Sequence, residues 1–156
     1  MVQQLSEFLR STLRKDDSQP ILLVEELQTL ALYLEIEKMR FGHRLQTEIQ
    51  ADETSKNLKL PPLLLQPLVE NAIKFGLYDT TGQVCISLKA KTIDHHLEIS
   101  ITNPYDPQTA PKRQGTGFGL TGVQRRLYLL FARQDLLQTH TENQTFTATL
   151  KIPQTL

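Results

Sequence analysis

Two runs of strict alternation limit the fold more than any other feature of the chain. Between residues 84 and 91, Val84, Ile86, Leu88 and Ala90 fall on one side and Ser87, Lys89 and Lys91 on the other. Between 97 and 102, Leu97, Ile99 and Ile101 alternate with Glu98, Ser100 and Thr102. A period of two belongs to strands with one buried face, so these runs predict two strands of a sheet covered on one side. Residues 135–142 and 144–152 predict a hairpin, with Phe146, Ala148, Leu150 and Ile152 inward, Thr147, Thr149 and Lys151 outward, and Pro153 ending it.

Helical spacing occupies much of the remainder. Val2, Leu5, Phe8, Leu9 and Leu13 predict a first helix ending near Asp16, which either docks on the domain or forms half of an oligomeric bundle. A short polar linker runs from Asp16 to Pro20. A second helix is predicted over 24–41 with Gly42 as its terminator. One of its apolar rows is Leu27, Leu30, Leu34 and Phe41, the other Leu32, Ile36 and Met39, a pattern suited to covering on two sides. Arg44 to Gln50 reads as a strand, Ala51 to Lys59 as a loop, and Asp79 to Gly82 as a turn. Helices that do not alternate regularly with strands predict an α+β class, with helices on one face of a mixed or antiparallel sheet.

A chain of 156 residues suits one core. Its 17 basic and 17 acidic side chains cancel, so no broad basic field points to nucleic acid. Cys85 stands alone, which fits a reducing compartment. The longest apolar run, Leu60 to Val69, is broken by Pro61, Pro62, Gln66 and Pro67, and falls far short of the roughly twenty residues of a membrane span. The N-terminus lacks the basic-then-apolar pattern of a signal peptide.

Three stretches carry candidate chemistry. The first is QPLVENAIKFG, a helix over 66–76 with Pro67 in its first turn. It sets Glu70, Asn71 and Lys74 on one face and Leu68, Ala72, Ile73 and Gly76 opposite. An Asn oxygen can ligate Mg²⁺ and a Lys can neutralise phosphate; the plainer reading is an amphipathic helix with a solvated polar face. The second is Asn103, which the period of two carries to the core side of the sheet, where an amide is costly unless bonded; the alternative is a turn Asn before Pro104. The third is the proline-rich loop NPYDPQTAPKRQ, long enough for a lid, followed by GTGFGL and a helix marked by Val123, Leu127, Leu130 and Phe131. Alternate glycines before a helix let backbone amides approach a polyphosphate, though glycines also cap and hinge.

The order of these stretches resembles the ATP-binding domain of the gyrase, Hsp90, histidine kinase and MutL superfamily, the Bergerat fold, a two-layer α/β sandwich. More narrowly, YLEIEKMRFGHRL (33–45) and LPPLLLQPLVENAIKFG (60–76) are similar to the LytS-type sensor histidine kinases, and the resemblance spans nearly the whole chain. It implies Asn71 as the Mg²⁺ ligand, Lys74 facing phosphate, Asn103 in place of the acid that accepts the adenine amino group, and Gly115, Gly117 and Gly119, with Leu120, as the second glycine box. Lys112 and Arg113 in the lid are candidates for the γ-phosphate, or are merely solvated. Asn keeps an acceptor oxygen, so adenine binding is expected to survive the substitution, while Pro104 to Pro107 replace the usual glycines and reshape the loop.

Relatives that hydrolyse ATP place an acid at the position of Pro67, so the resemblance implies a kinase rather than an ATP-driven clamp; Glu70 is a candidate base. The phosphoacceptor motif of the NPHFLFN kind is absent, and His43, His95, His96 and His140 read as ordinary surface histidines. The resemblance thus implies residues 1–18 as the end of a dimerisation and phosphoacceptor region and 19–156 as the catalytic domain. The cofactors are ATP and Mg²⁺. The partners are a histidine-bearing helix of the same protein, a response regulator and a second copy. The domain is expected in the cytoplasm, within a protein anchored in a bacterial inner membrane. The alternative is a regulatory or dimerisation module with a degenerate nucleotide site.

Overall fold

The computed structural model describes residues 2–13, 19–77, 82–105 and 118–154. Helix α1 (Val2–Leu13) packs against α2 (Leu23–Phe41), which the two-residue strand β1 (Ile21–Leu22) precedes. Gly42, at φ 59°, ends α2, and a single 3₁₀ turn (Gly42–Arg44) leads into β2 (Leu45–Ala51). Then come α3 (Glu53–Lys56), β3 (Lys59–Leu60), α4 (Leu65–Leu77), β4 (Val84–Ile93), β5 (His96–Pro104), α5 (Phe118–Phe131), β6 (Leu137–Glu142) and β7 (Thr145–Pro153).

The main sheet has the order β2-β4-β5-β7-β6, with β2 parallel to β4 and every other neighbour antiparallel. The α+β class and the mixed sheet are therefore as the alternation implied. Register places Leu88 opposite Ile101, and Ile99 opposite Leu150, on the buried face. The other face is polar: Thr102 pairs hydroxyls with Thr147 at 3.3 Å, and Glu98 lies 3.4 Å from Lys91 and 4.0 Å from Lys151. Two-residue turns at Asp94–His95 and Asn143–Gln144, all four residues at positive φ, close the two hairpins with the hand that matches strand twist. The parallel pair has no such short link, and the crossover from β2 to β4 runs through α3, β3 and α4.

Helix α4 lies on β4 and β5, with α5 and α2 as further neighbours. Its N-terminus is capped from another helix. The Glu26 carboxylate of α2, 3% exposed, accepts the backbone N–H groups of Leu63, Leu64 and Leu65 at 3.0, 2.8 and 3.1 Å. It satisfies donors that a helix start leaves open and sets a negative charge at the positive end of the helix dipole.

The stretch from Ala51 to Lys59 departs from the expected loop. The Asp52 carboxylate accepts Ser55 N–H at 2.7 Å, an N-cap that turns the polar residues 53–56 into the single-turn α3. Beyond it, β3 pairs antiparallel with β1, and the Gln154 side chain extends that small sheet: Lys59 N–H donates to Oε1 at 3.0 Å and Nε2 donates to Lys59 O at 2.8 Å.

Candidate functional site

Helix α4 touches the start of α5 and the end of β5, the described parts of the other two predicted stretches. At its start, a Cβ added at Gly119 in the first turn of α5 would stand 3.3 Å from Pro67 O. At its end, a Cβ at Gly76 would meet Val84 Cγ1 at 2.9 Å and the Asn103 Cβ and Pro104 Cδ at 3.8 Å each. One helix therefore touches the N-terminus of α5 at one end and the last residues of β5 at the other, with Glu70, Asn71 and Lys74 between.

Alanine normally gains about 1 kcal/mol over glycine inside a helix. At residue 76 the added methyl runs into the buried Val84, and overpacking of that kind costs about 1–3 kcal/mol. Gly76→Ala is thus expected to lower stability by about 1 kcal/mol, measured by urea unfolding; a stabilised variant would show that the strand end yields freely.

Asn71 is not on a solvated face as the helical pattern suggested. It is 8% exposed, beside the buried Leu68 and Ala72, and its side chain forms no hydrogen bond with another described residue. Glu70 is exposed and accepts Gln66 Nε2–H at 2.9 Å. Lys74 is partly buried and forms no ion pair with another described residue. Leu120 packs on the core at the start of α5. Lys112, Arg113, Gly115 and Gly117 lie outside the described residues.

Asn103 stands where the alternation put it, 1% exposed at the core side of β5. Its Nδ2 donates to Pro104 O at 2.6 Å, while Oδ1 is buried with no hydrogen-bond partner among the described residues. The amide has no choice of orientation, since a flip would press Oδ1 against the carbonyl oxygen. An orphaned acceptor of this kind costs about 1–3 kcal/mol, and a ligand with an N–H donor would relieve it.

Two acids escaped the sequence reading. Glu26 lies in phase with the buried Leu23, Leu30 and Leu34 of α2, and that phase was the signal available. Glu37, on the same helix, has its carboxyl raised above its ordinary value by burial; Arg40 opposes the shift and the Glu70 carboxylate adds to it. Among the described residues no cluster of three or more His, Cys, Asp or Glu could hold a metal by itself.

A family model described as histidine kinase matches residues 1–45. The sensor histidine kinase BtsS of Escherichia coli K12 is 36% identical over 160 residues, covering 98% of this chain and 27% of that protein. The sensor protein LytS of Staphylococcus saprophyticus is 32% identical over 161 residues, covering 96% of this chain and 27% of that protein. The chain thus spans about a quarter of the length of these relatives. Among solved structures, the catalytic domain of histidine kinase ThkA superposes with a TM-score of 0.63 at 15% identity, covering 87% of this chain and 95% of that one. The Acinetobacter baumannii histidine kinase AdeS gives 0.65 at 15% identity, covering 99% and 76%. The chain therefore has the fold of histidine kinase catalytic domains and is homologous, along almost its whole length, to part of the LytS and BtsS sensor histidine kinases.

Proposed function

We propose that residues 19–156 form the ATP-binding catalytic domain of a two-component sensor kinase, which transfers the γ-phosphoryl group of Mg·ATP to a histidine outside this chain, and that residues 1–18 end the dimerisation and phosphoacceptor region. The observation that carries the reading is the buried, unpartnered Oδ1 of Asn103 at the far end of the helix that bears Asn71. It supports a site that accepts the exocyclic amino group of a purine. Asn71 would contribute an oxygen ligand to Mg²⁺, and Lys74 would neutralise phosphate charge from the next turn of α4. Bound Mg²⁺ supplies charge neutralisation along the polyphosphate. A cation held by one amide has to arrive with the nucleotide, in keeping with the lack of a protein-only metal cluster among the described residues.

The chain's own part is positioning and electrostatics. Lys112, Arg113 and the glycines Gly115, Gly117 and Gly119, with Leu120, are assigned to the phosphate end, and Glu70 to the approach of the acceptor imidazole. Pro67 occupies the place from which an acid would activate water, which favours transfer over hydrolysis. A second copy and a response regulator complete the proposed assembly; the solved ThkA complex with the response regulator protein TrrA is a precedent in a protein of this fold. No helix among the described residues is long and apolar enough to cross a membrane, and we assign the domain to the cytoplasmic side of an anchored protein.

Incubating this chain with Mg·ATP and the histidine-bearing helix of its parent protein should yield phosphohistidine. Nucleotide binding without any phosphohistidine would favour a regulatory module with a degenerate site, a reading that the Asn at position 103 and the prolines after it support.

A further inference from the structure

Beside the orphaned acceptor stands an aromatic pair that the nucleotide-site reading does not use. Register sets Phe146 of β7 directly opposite Asn103 of β5, so the two side chains share the core-side face. Tyr105 continues the pairing beyond the strand end, its N–H donating to Gln144 O at 2.8 Å. Two residues past Asn103, it returns to the same face, and its ring stacks on Phe146 with centroids 6.1 Å apart and planes 30° from parallel. Phe146 is braced from below by the core, whereas Tyr105 is partly exposed. Oδ1 of Asn103 is shielded from solvent, so a base reaches it only when a covering side chain gives way, and Tyr105, two residues on along the same face, is partly exposed.

We propose that Tyr105, backed by Phe146, is the stacking wall of the base pocket: a purine whose amino group donates to Asn103 Oδ1 rests against the Tyr105 ring, and the two residues together select the base. This rests on the nucleotide-site reading above. The hydrogen bond supplies direction and the ring supplies area, since every base offers a π face while only some offer an N–H at that edge. A cross-strand aromatic pair that merely stabilised the sheet would matter equally to every ligand; a base wall matters only to ligands that carry a base.

The test measures binding of Mg·ATP, adenosine and Mg·tripolyphosphate to the 156-residue chain and to its Tyr105→Phe, Tyr105→Leu and Tyr105→Ala variants. Tyr105→Ala should weaken ATP and adenosine about ten- to a hundredfold and leave tripolyphosphate unchanged. Tyr105→Phe should bind all three as the parent does, and Tyr105→Leu should fall between. Parent-like ATP affinity in Tyr105→Ala, or an equal loss for tripolyphosphate, overturns this inference while leaving the nucleotide site standing. A parent chain that binds tripolyphosphate but neither ATP nor adenosine overturns the nucleotide-site reading, and this inference with it.

Discussion

Replacing Glu26 with alanine should remove about 3–5 kcal/mol of folding stability, the range expected when a buried charged partner is taken away and its hydrogen-bonding groups are stranded. Three backbone N–H groups, those of Leu63, Leu64 and Leu65, lose their acceptor together, and Leu64 and Leu65 are each 1% exposed or less, so water has poor access to replace it. Leu63 holds a left-handed φ of 59°, a conformation that costs a leucine energy and that the Glu26 contact helps to fix. Small domains have about 5–15 kcal/mol in total, so the variant should be marginal at room temperature. Glu26→Gln keeps one acceptor oxygen but turns an amide N–H toward backbone donors, and should lose about half as much. Urea unfolding gives the magnitudes, and amide exchange at residues 63–65 gives the location. A loss below 1 kcal/mol in Glu26→Ala would mean that water enters and caps α4 in place of the carboxylate.

Asn103→Leu should separate binding from stability. The substitution removes an unsatisfied acceptor from the core, relieving about 1–3 kcal/mol, and gives up the single hydrogen bond to Pro104 O, about 1 kcal/mol. The fold should be unchanged or steadier by about 1 kcal/mol. Nucleotide affinity should move the other way, by about 2–3 kcal/mol or thirty- to 150-fold, because the purine amino group would face a methyl group with no acceptor in reach. Opposite signs from one substitution mark a residue kept for its ligand. A thermal melt and a Mg·ATP titration on the same sample decide it, and a variant that binds as tightly as the parent would remove Asn103 from the site.

Much of the fold was legible because the strands solve a one-sided problem. Val84 to Ala90 and Leu97 to Ile101 meet a core on one face and water on the other, and that contrast is written in single residues. The same period placed Asn103 correctly. Helix α4 was harder to read: its outward strip is narrow, running through Gln66, Pro67, Glu70 and Lys74, so Asn71, one step round from Glu70, lies in the interior instead of among solvated groups. Glu26 was hidden by its charge: an acid in an apolar row looks like noise until the distant N–H groups it serves are in view. The α3 turn depended on one Asp52 cap inside a polar run. The Tyr105 and Phe146 pair depends on strand register, which residues 41 apart do not announce.

The parallel pairing of β2 with β4 has a consequence for the order in which the molecule assembles. Each hairpin closes over a turn of two residues, so β4 with β5 and β6 with β7 can zip as soon as they leave solvent. β2 joins only after the chain has looped out through α3 and α4 and come back, which places a long closure ahead of any reward. The pairing of β5 with β7 spans a longer loop still, from 41 residues (Pro104 to Thr145) to 57 (His96 to Pro153), so α4 and the two hairpins are expected to come together in one late, non-local step.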